Sequence, residues 1–70
     1  MMDYNALKNL LNGRGTVLAE TQDKEVVLIE HLPKGRSVDE HYKVTTLQKN
    51  GWARVNCYYE DGTIDETFER

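Results

Sequence analysis

Two dipeptides, Asn50-Gly51 and Asp61-Gly62, constrain this chain more than any other feature of its sequence. Asn, Asp and Gly tolerate the positive φ angles of two-residue hairpin loops, and each pair stands between short runs with strand-like alternation. A two-residue loop dictates which residues face each other. With Asn50-Gly51 as the loop, Tyr42 is predicted opposite Tyr59, Val44 opposite Cys57 and Thr46 opposite Val55. With Asp61-Gly62 as the next loop, Tyr59 meets Ile64, Cys57 meets Glu66 and Val55 meets Phe68. One face is then apolar on all three strands, with Cys57 on it as a small hydrophobe. The reverse face is predicted to hold His41, Lys43, Thr45 and Leu47, then Trp52, Arg54, Asn56 and Tyr58, then Asp65, Thr67 and Glu69. In this register Arg54 falls opposite Glu69, and Lys43 and Asp65 flank Tyr58. Glu66 breaks the pattern by pointing to the apolar face of the last strand. An inward charge on an edge strand guards against sheet-to-sheet aggregation, and the sharper reading pairs Glu66 with a cation on a partner or a second copy.

Upstream, Asp3 is placed to cap a helix whose apolar positions Tyr4, Leu7, Leu10 and Leu11 share one face, and Asn12-Gly13 stops it. Residues 16–21 and 25–31 read as two strands separated by the polar turn Gln22-Asp23-Lys24. The run Val26-Val27-Leu28-Ile29 is apolar on both faces, which suits a strand covered by the helix on one side and shielded on the other. Residues 32–37 hold the single proline, Pro33, and read as a loop. The predicted fold is therefore α+β, one domain over residues 1–70, with the helix packed on a five-stranded antiparallel meander. A partly closed SH3-like or OB-like barrel is the alternative topology.

At 70 residues the chain buries only about 60% of its unfolded surface. A second domain or a large enclosed active site is excluded on that ground. No apolar run approaches the roughly 20 residues of a membrane span, and the opening residues lack a basic segment followed by an apolar stretch. Together with a lone cysteine, Cys57, these features place the chain in the cytoplasm.

Signatures of catalysis are missing: there is no phosphate-binding glycine loop, no CxxC, no HExxH and no GxSxG. His31, His41, Asp39 and Glu40 are the only residues near metal-ligand spacing, and histidines at strand ends read as solvated rather than ligating. The chain is read as a non-enzyme with no cofactor and no metal.

Charge supplies the remaining signal. Nine Lys and Arg against twelve Asp and Glu give a net charge of −3, and the excess is local. Residues 60–70 carry Glu60, Asp61, Asp65, Glu66 and Glu69 against Arg70 alone. Alternate strand residues lie about 6.6–6.8 Å apart, so Asp65 and Glu69 form a carboxylate row along one face. Such a row suits a protein-interaction module that inhibits or regulates a basic, nucleic-acid-binding partner by DNA mimicry, with Trp52 and Tyr58 as apolar anchors. In size, acidity and lack of catalytic signatures the chain is similar in kind to small inhibitor proteins encoded by bacteriophages, a likeness of composition that assigns no residue.

Two alternatives stand beside it. Trp52, Tyr58, Lys43 and Arg54 interleave aromatics with bases as single-strand nucleic-acid binders do, against which stand the net acidity and the neighbouring Asp65 and Glu69. A structural or assembly subunit bound through Trp52 is the other. A twofold homodimer through edge pairing or packing around Trp52 would double the acidic charge.

Overall fold

The computed structural model describes residues 2–70. One helix, α1 (Tyr4–Leu11), is followed by strands β1 (Thr16–Glu20), β2 (Val26–Leu32), β3 (His41–Leu47), β4 (Ala53–Tyr59) and β5 (Ile64–Glu69). All neighbours are antiparallel and the spatial order is β1-β2-β3-β4-β5, the meander expected from the sequence. β1 and β5 do not pair, so the sheet is open and the barrel alternative is set aside.

Eight residues of helix are too few to stand alone in water, so α1 depends on its ends and on the face it buries. Asp3 caps the N-terminus, its Oδ1 accepting the Ala6 N–H at 2.8 Å. At the other end Asn12 takes the left-handed conformation (φ 51°, ψ 49°). The Arg14 side chain donates to the Leu11 and Leu10 carbonyls, placing a cation where the helix dipole is negative. Leu7 and Leu11 sit against Val27, Ile29, Tyr42 and Val44, with Tyr4, Val17 and Tyr58 around the margin. Leu10, expected on this face, is instead 48% exposed, because it lies one residue off the Tyr4, Leu7, Leu11 stripe.

The register corrects the sequence reading by one residue on one strand. Tyr42 pairs with Tyr58, Val44 with Asn56 and Thr46 with Arg54; across the next ladder Tyr58 pairs with Ile64, Asn56 with Glu66 and Arg54 with Phe68. Both loops have three residues rather than two. Gln48 and Trp52 close the first, with the Gly51 N–H donating to the Gln48 carbonyl, and Tyr59 and Thr63 close the second, with the Gly62 N–H donating to the Tyr59 carbonyl. Gly51 (φ 89°) and Gly62 (φ 94°) hold the left-handed position that ends a type I turn with a bulge. Asn50 and Asp61 do not have positive φ; each instead accepts the backbone N–H two residues on, from Trp52 at 2.9 Å and Thr63 at 2.8 Å.

The extra residue in each loop turns β4 over. Arg54, Asn56 and Tyr58 lie on the helix side, and Val55, Cys57 and Tyr59 on the open side. Because the two loops each add one residue, the shifts cancel between β3 and β5, and Ile64, Glu66 and Phe68 stay on the helix side with Tyr42 and Val44. Lys43 and Asp65 consequently flank Cys57 rather than Tyr58, and Glu69 pairs with Ala53 rather than Arg54.

The first hairpin repeats the same loop. Thr21 and Glu25 close it, the Lys24 N–H donates to the Thr21 carbonyl, and Lys24 occupies the left-handed position at φ 64°. A side chain there costs about 1 kcal/mol that glycine avoids. Lys24→Gly is expected to stabilise the fold by about 0.5–1 kcal/mol in urea titration, whereas Gly51→Ala destabilises it by about 1–2 kcal/mol.

Candidate functional site

The carboxylates singled out in the sequence divide among three places. Asp61 is at the tip of the β4–β5 loop, and its bonds from Thr63 hold its carboxyl below the usual carboxylate range. Asp65 and Glu69 lie on the open face of the sheet, in line with Cys57 and Ala53. Glu66 lies on the helix side beyond the reach of α1, where it accepts from the Asn56 amide at 3.0 Å. Every residue of β5 is exposed, and none of these four carboxylates has a basic nitrogen within 4 Å among the described residues. The four are thus presented to solvent, though not as a single row.

Trp52 and Tyr58, expected on one face of the same strand, are about 20 Å apart along the chain, and only Tyr58 lies within β4. Trp52 precedes β4 and lies beneath the Arg70 guanidinium, 5.4 Å from the ring centre. Tyr58 is half-buried against the core, and burial pushes its phenol up. Lys43 is on the open face while Arg54 and Tyr58 are on the helix side, so the stacking platform of the nucleic-acid alternative does not share one face.

Sequence reasoning missed a second acidic feature at the end of the molecule that carries the β2–β3 and β4–β5 connections. Asp39, Glu40, Glu60 and Asp61 line an open cleft of about 350 Å³ with Tyr59 and a single base, Lys34. A neighbouring cleft of about 140 Å³ shares Tyr59 and Glu60 and adds Asp3, Tyr4, Tyr58 and Ile64. Desolvation, followed by the charges of Cys57, Asp65, Asp39 and Asp61, pushes the Tyr59 phenol up. The signal available was the Asp39-Glu40 pair in the loop; only the chain reversal that brings it beside Glu60-Asp61 was missing.

Glu40 also ties the elements together. One carboxylate oxygen accepts from the Tyr4 hydroxyl on α1, the other meets His31 Nε2 on β2 at 2.7 Å. The Tyr42 ring fills the space between, edge-on to Tyr4 and tilted against His31. His41, read as solvated, is 6% exposed: its Nδ1–H donates to the Asp39 carbonyl and its ring stacks on Tyr59. His31 and His41 therefore face opposite sides of the sheet. Cys57, read as a core residue, is half-buried on the open face. Burial raises its thiol, Lys43 opposing and Asp65 adding to the shift, which keeps it in the unreactive protonated form.

Comparison of the chain with protein-family models, with curated proteins and with solved structures finds no significant match.

The Tyr4–Glu40 bond has a signature in pH. The Tyr4 phenol is raised above its ordinary value, first by its bond to Glu40. A raised folded-state value for a phenol means that the stabilisation is fully present below about pH 10 and is lost as pH rises beyond it. Urea titrations are expected to show stability falling above pH 10. Tyr4→Phe should lower stability by about 1–2 kcal/mol at pH 8 and flatten that alkaline decline.

Proposed function

We propose that this chain is a non-enzymatic protein-interaction module that binds a basic partner protein, of the kind that handles nucleic acid, and regulates or inhibits it in the cytoplasm. The observation that carries this reading is the state of β5: an open edge, exposed along its whole length, whose Asp65, Glu66 and Glu69 have no cation of their own. Asp61 and its neighbours Glu60, Asp39 and Glu40 extend the same sign of charge to the adjoining end of the molecule. Asp65 and Glu69 have no cation to give up on binding, and the summed negative charge raises the encounter rate with a cationic surface.

DNA mimicry is the finer form of this reading. Asp65 and Glu69 are four residues apart on one face, about 13 Å, while Glu66 projects from the other side of the sheet. A partner contacting all three must wrap the β5 edge, as a groove does. Pairing of two copies through β5 is opposed by their own carboxylates, which directs a twofold dimer to β1.

The test is affinity capture from a bacterial lysate with the native chain and with Asp61→Asn, Asp65→Asn, Glu66→Gln, Glu69→Gln combined. All four positions are exposed, so the fold should persist. The expected result is a basic partner retained by the native chain, lost by at least about tenfold in the variant, and released by raised salt. A partner retained equally by both, or unaffected by salt, would overturn the proposal.

A further inference from the structure

β2 is built for a cover that only one of its faces has. Its alternate residues Val27 and Ile29 are buried under α1, whereas Val26 and Leu28 face the other way, where no element lies. Around them on the open face stand Leu18, 69% exposed, and Leu47, 56% exposed, with half-buried Ala53 beside Leu47 on β4; Val55, next in that strand on the same face, is buried among its neighbours and closes the patch on that side. Leucines this exposed beside a half-buried Leu28 make a contiguous apolar patch rather than scattered side chains.

The rim of this patch is acidic. Glu20 and Glu30 stand on β1 and β2, Asp65 and Glu69 on β5, all directed to the open face, and Lys43, between Glu30 and Cys57, is the one Lys or Arg of the strands directed there. Among the described residues none of these groups is in an ion pair. A second copy of the same face would set like rims against each other, with one Lys43 per copy to offset them, and phosphate groups of nucleic acid or anionic lipid would be repelled. Charge complementarity selects an occupant with an apolar centre and cationic flanks.

The dimensions select its shape. Five strands at about 4.8 Å separate the β1 and β5 carboxylates by about 19 Å, and the strands are about 20 Å long. A helix with its side chains is 10–12 Å across, and a run of about 13 residues spans 20 Å. Laid along β2 and the Leu47 end of β3, such a helix sets its apolar stripe on Val26, Leu28 and Leu47 with Leu18 at its margin, while lysines on both flanks extend outward to the carboxylate rims.

We infer that the open face of the sheet is the docking surface for an amphipathic, Lys- or Arg-flanked helix of the basic partner. This deepens the reading given under Proposed function and rests on it. The helix would complete a second layer opposite α1, burying the apolar side of β2 that the chain leaves bare.

The experiment uses the full chain and a 14-residue peptide of Leu and Lys with its leucines at helical spacing. Controls are a peptide of equal composition with Leu and Lys alternating, and a helical Leu and Glu peptide. The expected result is binding of the first alone, with nuclear magnetic resonance shifts centred on Leu18, Leu28, Thr45 and Leu47. Leu18→Gln with Leu47→Gln should weaken it at least about tenfold; both side chains are more than half exposed, so the fold is not at stake. Shifts confined to α1 or to the Asp61 loop, equal binding of the alternating peptide, or unchanged affinity in the Gln variant would overturn the inference. So would a native dimer in sedimentation that the Gln variant dissociates, since a second copy would then be the occupant. The Gln variant keeps every carboxylate, so a basic partner still captured by it at full strength overturns the docking face and leaves the acidic module standing. Loss of capture only in the carboxylate variant gives the same division.

Discussion

One left-handed residue, placed third in each hairpin loop, sets the register on which every other feature depends. Lys24, Gly51 and Gly62 occupy equivalent positions, each followed by a residue that closes the next strand. The conformation adds a residue to the loop and moves the strand it feeds by one position, which in a period of two exchanges its faces. Val55, Cys57 and Tyr59 are turned out, and Arg54, Asn56 and Tyr58 turned toward the helix side, by loop geometry rather than by their own hydrophobicity. Trp52 is anchored by the same turn, because the Asn50 side chain that stabilises the loop holds the Trp52 amide.

A flipped β4 limits the core to the half of the sheet nearest β2. Leu7 and Leu11 reach Val27, Ile29, Tyr42 and Val44, and beyond them on the helix side of β4 and β5 the polar Arg54, Asn56 and Glu66 lie between Tyr58, at the core margin, and Ile64 and Phe68, which stay exposed. An eight-residue helix suffices for a core this narrow. Its docking is reinforced at the rim by Glu40, which joins α1 to β2 through Tyr4 and His31 and places Asp39 where its carbonyl receives His41. Fixing that loop by three bonds also fixes its negative charge next to Glu60 and Asp61. Electrostatic grouping at this end is a by-product of how the helix is held.

Much of the fold was legible in the sequence because its signals were local. Asp3, Asn12 and the Tyr4, Leu7, Leu11 spacing define the helix, and Gln22-Asp23-Lys24 reads as a three-residue loop without ambiguity. Asn-Gly and Asp-Gly fit either a two-residue turn or the last two positions of a three-residue turn, and the neighbouring strand did not arbitrate. Tyr58 and Tyr59 are both aromatic, and Val55 alternates with Asn56 and Cys57, so either face of β4 passes as the apolar one. Glu66 was placed on the correct face through two displacements of opposite effect. The acidic cleft depends on the β2–β3 loop lying beside the β4–β5 loop, and the burial of His41 on Tyr59 stacking across from it, contacts between distant residues that no local pattern encodes.

The same displacement explains how an acidic chain of this size keeps an apolar face uncovered. Had β4 been oriented as its alternation suggested, Val55, Cys57 and Tyr59 would have joined the helix side, enlarging the core under α1 and leaving Lys43, Arg54 and Asp65 to form a polar exterior. Turned over, β4 instead sets Ala53 and Val55 beside Leu47 and Thr45, and the open face is left with an exposed apolar patch of Leu18, Val26 and Leu47 around Leu28, with carboxylates on β1, β2 and β5. Rim carboxylates on this surface act in two directions. They repel an identical face, a safeguard against sheet stacking that an open five-stranded meander needs, and they attract any amphipathic partner of opposite charge. Protection against stacking and, on the proposed reading, preference for a cationic partner would both follow from one arrangement, set by the three-residue loops on either side of β4.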